Sequence, residues 1–227
     1  MKVSEIFYSI QGEGPNIGVP SVFLRLALCN LRCVWCDSKY TWDWENFDYN
    51  REVSEIPTEE VIEKIMSYHC DHLVITGGEP MLQQKELEVL LPPLKRQGLG
   101  IEVETNGTIV PSRILLGLID QWNVSPKLEN SGNSRSSREK SEAYECFSRL
   151  SNAFFKFVVE TEDDLGEITA LVRKYEIMPS RVILMPEAVT SETLREKSAW
   201  LAEICKDNGF RFTSRLHLIL YGNKRGT

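Results

Sequence analysis

The sequence is short of three things: long apolar runs, histidines and positive charge. Each shortage excludes a class of protein. No stretch approaches the roughly 20 apolar residues that a membrane helix needs. The first residues, MKVSEIFYSIQGEG, have no long apolar core and include Glu5 and Glu13, so no signal peptide and a cytoplasmic location are expected. A net charge of −7 speaks against a broad nucleic-acid or anionic-membrane surface, while leaving room for a small basic pocket. Histidine occurs only as His69, His72 and His217, and none lies in the spacing that a zinc knuckle uses.

What is present describes an ordinary globular chain. With 227 residues, 42% hydrophobic and 26% charged, it can bury a normal core without disulfides. The six cysteines are not expected to pair in a reducing compartment. Cys70, Cys146 and Cys205 are scattered and read as buried or half-buried small hydrophobes. The other three crowd together, and they carry the argument.

Apolar, β-branched runs predict strands at Val22–Ala27, Leu73–Thr76, Gly100–Glu104, Trp122–Val124, Phe154–Val159, Val182–Met185 and Leu216–Leu220. Helical patterns fall between them at Thr58–Tyr68, Gln83–Gln97, Glu139–Leu150, Glu162–Tyr175 and Ser191–Asn208. Pro92-Pro93 is expected to kink or divide the second of these. Ser131–Ser141 is polar and reads as a mobile surface loop. Alternation of strand and helix predicts a mainly parallel α/β sheet with right-handed crossovers. The count falls short of eight units, so the expected fold is a partial, open (β/α) barrel of about six strands, in one domain over 1–227. In such folds ligands gather at the C-terminal strand ends.

Just after the first predicted strand comes Cys29-Asn30-Leu31-Arg32-Cys33-Val34-Trp35-Cys36, a C-x3-C-x2-C spacing. Closely spaced thiolates on one loop can face a common iron–sulfur centre. Three ligands on a four-iron cluster leave one iron free to bind a second molecule. A zinc site lacking its fourth ligand, or a chance grouping of thiols, are the plainer alternatives. After the next predicted strand stands Thr76-Gly77-Gly78-Glu79-Pro80, where glycines allow a ligand close to the backbone.

These two elements together resemble the signature of the radical S-adenosylmethionine superfamily. Within it, Ser9-Ile10-Gln11-Gly12-Glu13-Gly14, Phe23-Leu24-Arg25-Leu26, Cys36-Asp37-Ser38, Glu104-Thr105-Asn106-Gly107-Thr108, Ser125-Pro126-Lys127 and the tail His217…Gly222-Asn223-Lys224-Arg225-Gly226-Thr227 resemble the 7-carboxy-7-deazaguanine synthase family. The likeness spans essentially the whole chain, its middle third through short motifs only.

The resemblance implies a pterin substrate bearing a carboxylate, 6-carboxy-5,6,7,8-tetrahydropterin, and its ring contraction with loss of ammonia. It implies a 4Fe–4S cluster on Cys29, Cys33 and Cys36, S-adenosylmethionine, and Mg²⁺ at Ser38. Ile10, Gln11, Gly12, Glu13, Arg25, Thr76, Glu104, His217 and Thr227 would face substrate. Trp35, Asp37, Gly78, Glu79, Ser125, Pro126 and Lys127 would hold S-adenosylmethionine. The chemistry of several residues suits these roles: Arg25 offers a planar fork for a carboxylate, and Gln11 both donates and accepts at a ring edge. A surface ion pair for Arg25, a plain Gly-rich turn around Gly12, a turn former at Ser38 and a sheet histidine at His217 are their bland counterparts. A flavodoxin or ferredoxin reductant and a homodimer are expected by analogy alone. The rivals are an activase that abstracts hydrogen from a partner protein's glycine and a non-catalytic metal or electron-transfer protein.

Overall fold

A nine-residue strand that hydrophobic patterning passed over begins the chain. In this computed structural model, which describes all 227 residues, β1 (Lys2–Ile10) runs antiparallel to β2 (Pro20–Leu26), with Glu5 opposite Arg25. Glu5, Tyr8 and Ser9 interrupt its apolar pattern, because neither face of this strand is fully covered. The two-residue β3 (Ser54–Glu55) pairs antiparallel with the outer edge of β1.

From β2 the sheet continues in parallel. β4 (His72–Gly77), β5 (Gly100–Thr105), β6 (Gln121–Val124), β7 (Ala153–Val159), β8 (Val182–Pro186) and the short β9 (Arg211–Phe212) follow in chain order. The sheet order is β3-β1-β2-β4-β5-β6-β7-β8-β9, open between its two short edge strands. The six long strands from β2 to β8 that run parallel are the expected ones; the antiparallel edge is the addition.

The helices are α1 (Tyr49–Glu52), α2 (Thr58–Met66), α3 (Gln84–Arg96), α4 (Arg113–Leu118), α5 (Arg135–Arg138), α6 (Ser141–Ser148), α7 (Asp164–Lys174), α8 (Ser191–Asn208) and α9 (Leu216–Tyr221). None is long and apolar enough to cross a membrane. α8 has the expected bounds: Thr190 Oγ1 accepts from Thr193 N at 3.2 Å, and Gly209 closes it in the left-handed region at φ +66°.

Strand alternation sorts the sheet into two faces. Val22, Leu24, Leu26, Leu73, Ile75, Ile101, Val103, Trp122, Val124, Phe155, Phe157, Val182 and Leu184 are buried in one core with Leu87, Leu90, Leu91 and Leu94 of α3. Each such side chain contributes about 1.5–3 kcal/mol on burial. The residues between them turn the other way and are largely polar: Arg25, Thr76, Glu102, Glu104, Asn123, Ser125 and Lys156. That face is the inside of the barrel.

Three expectations need correction. Leu216–Leu220 is not a strand but lies in α9, with only Leu218 buried. A short apolar run fits either period, and the Leu216 amide is taken by the Gly12 carbonyl at 2.8 Å rather than by a strand neighbour. α3 is not divided by Pro92-Pro93. Both prolines are only half-buried, while the leucines on the opposite side hold the helix to the sheet. Ser131–Ser141 is not a loose loop. Ser131 and Arg138 are buried, and Arg138 Nη1 donates to the Lys127 carbonyl at 3.0 Å and to Glu167.

Candidate active site

The C-terminal ends of the parallel strands, the cysteine loop and the C-terminal tail enclose a cavity of about 430 Å³. It gathers Ile10, Gln11, Gly12, Glu13, Arg25, Cys29, Cys33, Trp35, Cys36, Asp37, Ser38, Thr76, Gly78, Glu104, Ser125, Lys127, His217 and Thr227. These are nearly all the residues singled out from sequence, brought together from both ends of the chain.

The three thiols share the cavity without collapsing onto one point. No group of three or more His, Cys, Asp or Glu side chains is arranged to hold a single metal ion. Each sulfur already accepts at least one N–H, and Cys29 Sγ also meets the Asn106 side-chain amide at 4.0 Å. The Leu31 amide donates to Cys29 Sγ at 3.4 Å, the Asn133 side-chain amide to Cys33 Sγ at 3.3 Å, and the Trp42 indole to Cys36 Sγ at 3.3 Å. Such donors favour thiolates, so the triad fits an iron–sulfur cluster. Burial pushes the Cys29 thiol up to about 12 and raises Cys33 as well. Cluster binding therefore releases their protons.

The wall facing the cysteine loop carries five charges of alternating sign. Lys156 Nζ donates to Glu13 and lies 3.6 Å from Glu104 Oε2. Arg215 Nε donates to the other oxygen of Glu13 at 2.9 Å, its Nη2 pairs with Asp37, and its Nη1 donates to the Ala188 carbonyl. Burial opposes the charge on Glu13, but Lys156 and Arg215 outweigh it and hold the carboxyl well below its ordinary range. Asp37 is likewise lowered against burial, chiefly by Arg215. Burial also lowers His217, whose ring packs so close to Gly12 that a Cβ there would meet Nδ1 at 2.4 Å. Gly12 is glycine for that contact.

Below this layer, Gln11 Nε2 donates to Glu102 at 2.5 Å and weakly to Glu104 at 3.3 Å, and its carbonyl oxygen accepts from the Glu13 amide at 3.2 Å. Gln11 thus links Glu104 of the cavity to Glu102 buried beneath it. On the other side, Glu5 accepts from Arg25 Nε at 2.9 Å, Tyr40 Oη at 2.9 Å and Arg225 Nε at 2.7 Å. Both Arg25 Nη groups are left without a protein partner. Arg225 also pairs with Glu52 at 2.7 Å and lies 3.7 Å above the Tyr40 ring, which holds the tail across the mouth. Lys127 Nζ donates to Ser125 Oγ at 2.8 Å and lies over the Trp35 ring at 5.4 Å.

Two expected residues do not line the cavity. Glu79 is fully buried: its carboxylate accepts from the Met81 and Asn106 amides and from Thr105 Oγ1, and so ties the GGEP turn to the end of β5. Its backbone is extended before the 3-10 turn Pro80–Gln83, which aims the side chain inward. Pro126 is buried behind Ser125 and Lys127. Reasoning from sequence also missed Lys156, Arg215, Tyr40 and Trp42, all of which line the cavity. Lys156 had a signal, a lone cation within the strand Phe154–Val159; Arg215 had none.

The chain matches the family model of the radical SAM superfamily over residues 26–123. It is 40% identical to a 7-carboxy-7-deazaguanine synthase of Pyrobaculum aerophilum, covering 100% of this chain and 97% of that one. A second relative of that name, from Halobacterium salinarum, is 35% identical over 98% of this chain and 91% of its own. Among solved structures it resembles QueE from Escherichia coli, with a TM-score of 0.72 and 27% identity over 95% of this chain and 94% of that one.

Proposed function

The chain belongs to the 7-carboxy-7-deazaguanine synthase family of radical S-adenosylmethionine enzymes, and on that premise we propose how its cavity serves the reaction. The reaction is ring contraction of 6-carboxy-5,6,7,8-tetrahydropterin to 7-carboxy-7-deazaguanine with loss of ammonia. Cys29, Cys33 and Cys36 hold the 4Fe–4S cluster. Bound there, the cluster and S-adenosylmethionine would supply the radical chemistry that ring contraction needs.

The protein's own residues bind, orient and shield. Arg25 takes the substrate carboxylate on its free Nη fork, held in plane by Glu5. This arrangement, a half-buried guanidinium with unpartnered nitrogens in the same cavity as three thiols, is the observation that carries the reading. Glu13 and Glu104, both beside the Lys156 ammonium, accept N–H groups from the pterin edge. Thr76, Ile10 and Gly12 complete the substrate side, and His217 and Thr227 close it from the tail. Trp35, Asp37, Gly78, Ser125 and Lys127 line the S-adenosylmethionine side. The Arg225-pinned tail and the Trp42 and Trp35 rings exclude water.

Ser38 would offer its hydroxyl to Mg²⁺, which would supply positive charge beside the substrate. Residues 1–227 act as one domain, since the cavity draws on positions from Phe7 to Thr227. A flavodoxin or ferredoxin supplies the electron, and the enzyme works as a homodimer. Anaerobic turnover with the carboxytetrahydropterin, read by mass spectrometry, tests the activity. Product of the ring-contracted mass is expected without an equal amount of 5′-deoxyadenosine, because contraction with loss of ammonia is redox-neutral and the abstracted hydrogen must return; 5′-deoxyadenosine formed with the pterin unchanged would overturn the substrate.

A further inference from the structure

Among the three cysteine sulfurs, Cys29 takes the Leu31 amide at 3.4 Å and only a long contact from the Asn106 side chain at 4.0 Å, whereas Cys33 and Cys36 each take a side-chain N–H at 3.3 Å from beyond the C-x3-C-x2-C motif. We infer that Trp42 and Asn133 are positioning residues that set the reduction potential of the cluster through N–H donation to Cys36 and Cys33. The inference rests on the cluster assignment above, not on the identity of the pterin.

Trp42 stands at the end of the 3-10 turn Lys39–Thr41, its amide bonded to the Lys39 carbonyl at 3.0 Å. That fixes the ring, and its only polar atom faces Cys36 Sγ at 3.3 Å. Asn133 arrives from a segment 100 residues further along the chain. Its Oδ1 accepts from the Arg32 amide at 2.9 Å while Nδ2 donates to Cys33 Sγ, so one side chain grips the loop on both sides of the ligand. The approach is built in. The Val34 amide donates to the Ser131 carbonyl at 3.1 Å. Gly132, at φ +76°, lies so near that a Cβ would meet Val34 Cγ1 at 2.9 Å. Packing alone would not aim two separate N–H groups at two different sulfurs.

Donation to a ligand sulfur delocalises negative charge and favours the reduced cluster, which carries one electron more. Removing a donor should make reduction harder. Trp42→Phe keeps the ring and deletes only the N–H; Asn133→Ala deletes the other donor. The measurement is an anaerobic redox titration of reconstituted enzyme followed by electron paramagnetic resonance, with iron and sulfide counted on each sample. At the wild-type midpoint, each variant should show a reduced-to-oxidised ratio lower by about tenfold, a shift of about 59 mV to more negative potential for one electron. The double variant should add the two shifts. Full cluster content with an unchanged midpoint in both variants would overturn the inference. If Trp42→Phe fails to take up iron, Asn133→Ala carries the same measurement. Loss of the cluster from both folded variants would make these side chains structural supports and would also overturn it. A wild type that takes up no iron would instead strike the cluster assignment itself.

Discussion

Lys156, in the middle of β7, donates to Glu13, a residue 143 positions earlier in the chain, and the two are buried together in the wall of the cavity. Lys156 also lies 3.6 Å from Glu104, so one ammonium neutralises two carboxylates. Burial works against its charge, yet Glu104 and Glu13 keep it protonated above the ordinary lysine range. Lys156→Met should therefore leave two carboxylates buried without their shared cation. Breaking a buried pair on one side typically costs about 3–5 kcal/mol. We expect chemical denaturation to show a loss of that order, and calorimetric titration to show substrate binding abolished. Glu13→Gln added to Lys156→Met should restore part of the stability but none of the binding. Unchanged stability in Lys156→Met would mean that the carboxylates do not depend on it.

The parts of the site that were legible in the sequence are those whose chemistry is local. Cys29, Cys33 and Cys36 declare themselves by spacing, and the glycines at positions 77 and 78 by their place after a strand. Gly77 takes φ +132° with Leu26 against it, a position closed to any side chain. Direction was less legible than presence: Glu79 was visible, but not that it caps Met81 and turns from the cavity. Residues whose role comes only from the fold left no local trace. Arg215 meets Glu13 and Asp37 at separations of 202 and 178 residues. The parallel strands were readable because helices cover their outer face, so that at least every second residue is apolar and buried. β1, wet on both faces in part, lost that signal.

Glu102 predicts a pH dependence of stability. It is fully buried beneath the cavity and accepts from Gln11 at 2.5 Å, Asn16 at 2.6 Å, Asn123 at 2.5 Å and Gln121 at 3.2 Å, with His72 Nε2 at 3.6 Å. Burial first, and the charge of Glu104 second, push its carboxyl from 4.5 up to about 7. An acid raised in the folded state binds its proton more tightly there than in the unfolded chain. Its contribution is thus fully present below about pH 4.5, fades as pH rises, and is lost above about pH 7. At about 1.4 kcal/mol per unit, the swing is about 3 kcal/mol. The difference in unfolding free energy between wild type and Glu102→Gln should change by that order between pH 4.5 and 8. A flat difference would mean that Glu102 titrates normally.

The cysteines divide cleanly. Alanine at position 29, 33 or 36 should remove the cluster and all cleavage of S-adenosylmethionine, because no other cysteine lines the cavity. Cys205 is buried in the core and Cys70 packs against it; Cys146 is half-buried on α6. Alanine at these three positions should leave iron and sulfide content at the wild-type level. Elemental analysis of the six reconstituted variants decides this, and a full cluster in Cys33→Ala would remove it from the ligand set.

Arg25→Ala should separate the two halves of the reaction. The thiols are untouched, so slow cleavage of S-adenosylmethionine without substrate should persist. The substrate carboxylate loses its charged partner, and Glu5, which now faces only Tyr40 and Arg225, adds repulsion. A hydrogen-bonded charge contact of this kind contributes about 1.5–3 kcal/mol, which corresponds to a binding loss of about 10- to 150-fold. Arg25→Lys should recover little, since an ammonium cannot reproduce the fork. Titration of substrate onto the three proteins reads this directly, and near-normal affinity in Arg25→Ala would move the carboxylate elsewhere.

Ser38 carries the last prediction, on Mg²⁺. Its hydroxyl is buried, lines the cavity, and lies 3.7 Å from Cys36 Sγ. It caps no amide of the 3-10 turn that follows, although its carbonyl accepts from Thr41 N at 2.9 Å and Thr41 Oγ1 at 2.8 Å. The backbone is thus committed to the turn while the hydroxyl stays available beside the cysteine loop. A neutral hydroxyl supplies one of about six oxygens around Mg²⁺, so substrate and water must provide most of the rest. The cation should therefore bind with substrate rather than before it. Mg²⁺ should raise turnover and leave iron and sulfide content unchanged. Ser38→Ala should blunt the stimulation by weakening the site, shifting the half-maximal Mg²⁺ concentration upward by roughly tenfold, about 1.4 kcal/mol for one lost ligand. Ser38→Thr should keep the wild-type dependence, because the ligating oxygen survives. Activity measured against Mg²⁺ concentration for the three proteins, at saturating substrate, checks this. Identical curves in all three would leave Ser38 as the start of a turn and nothing more.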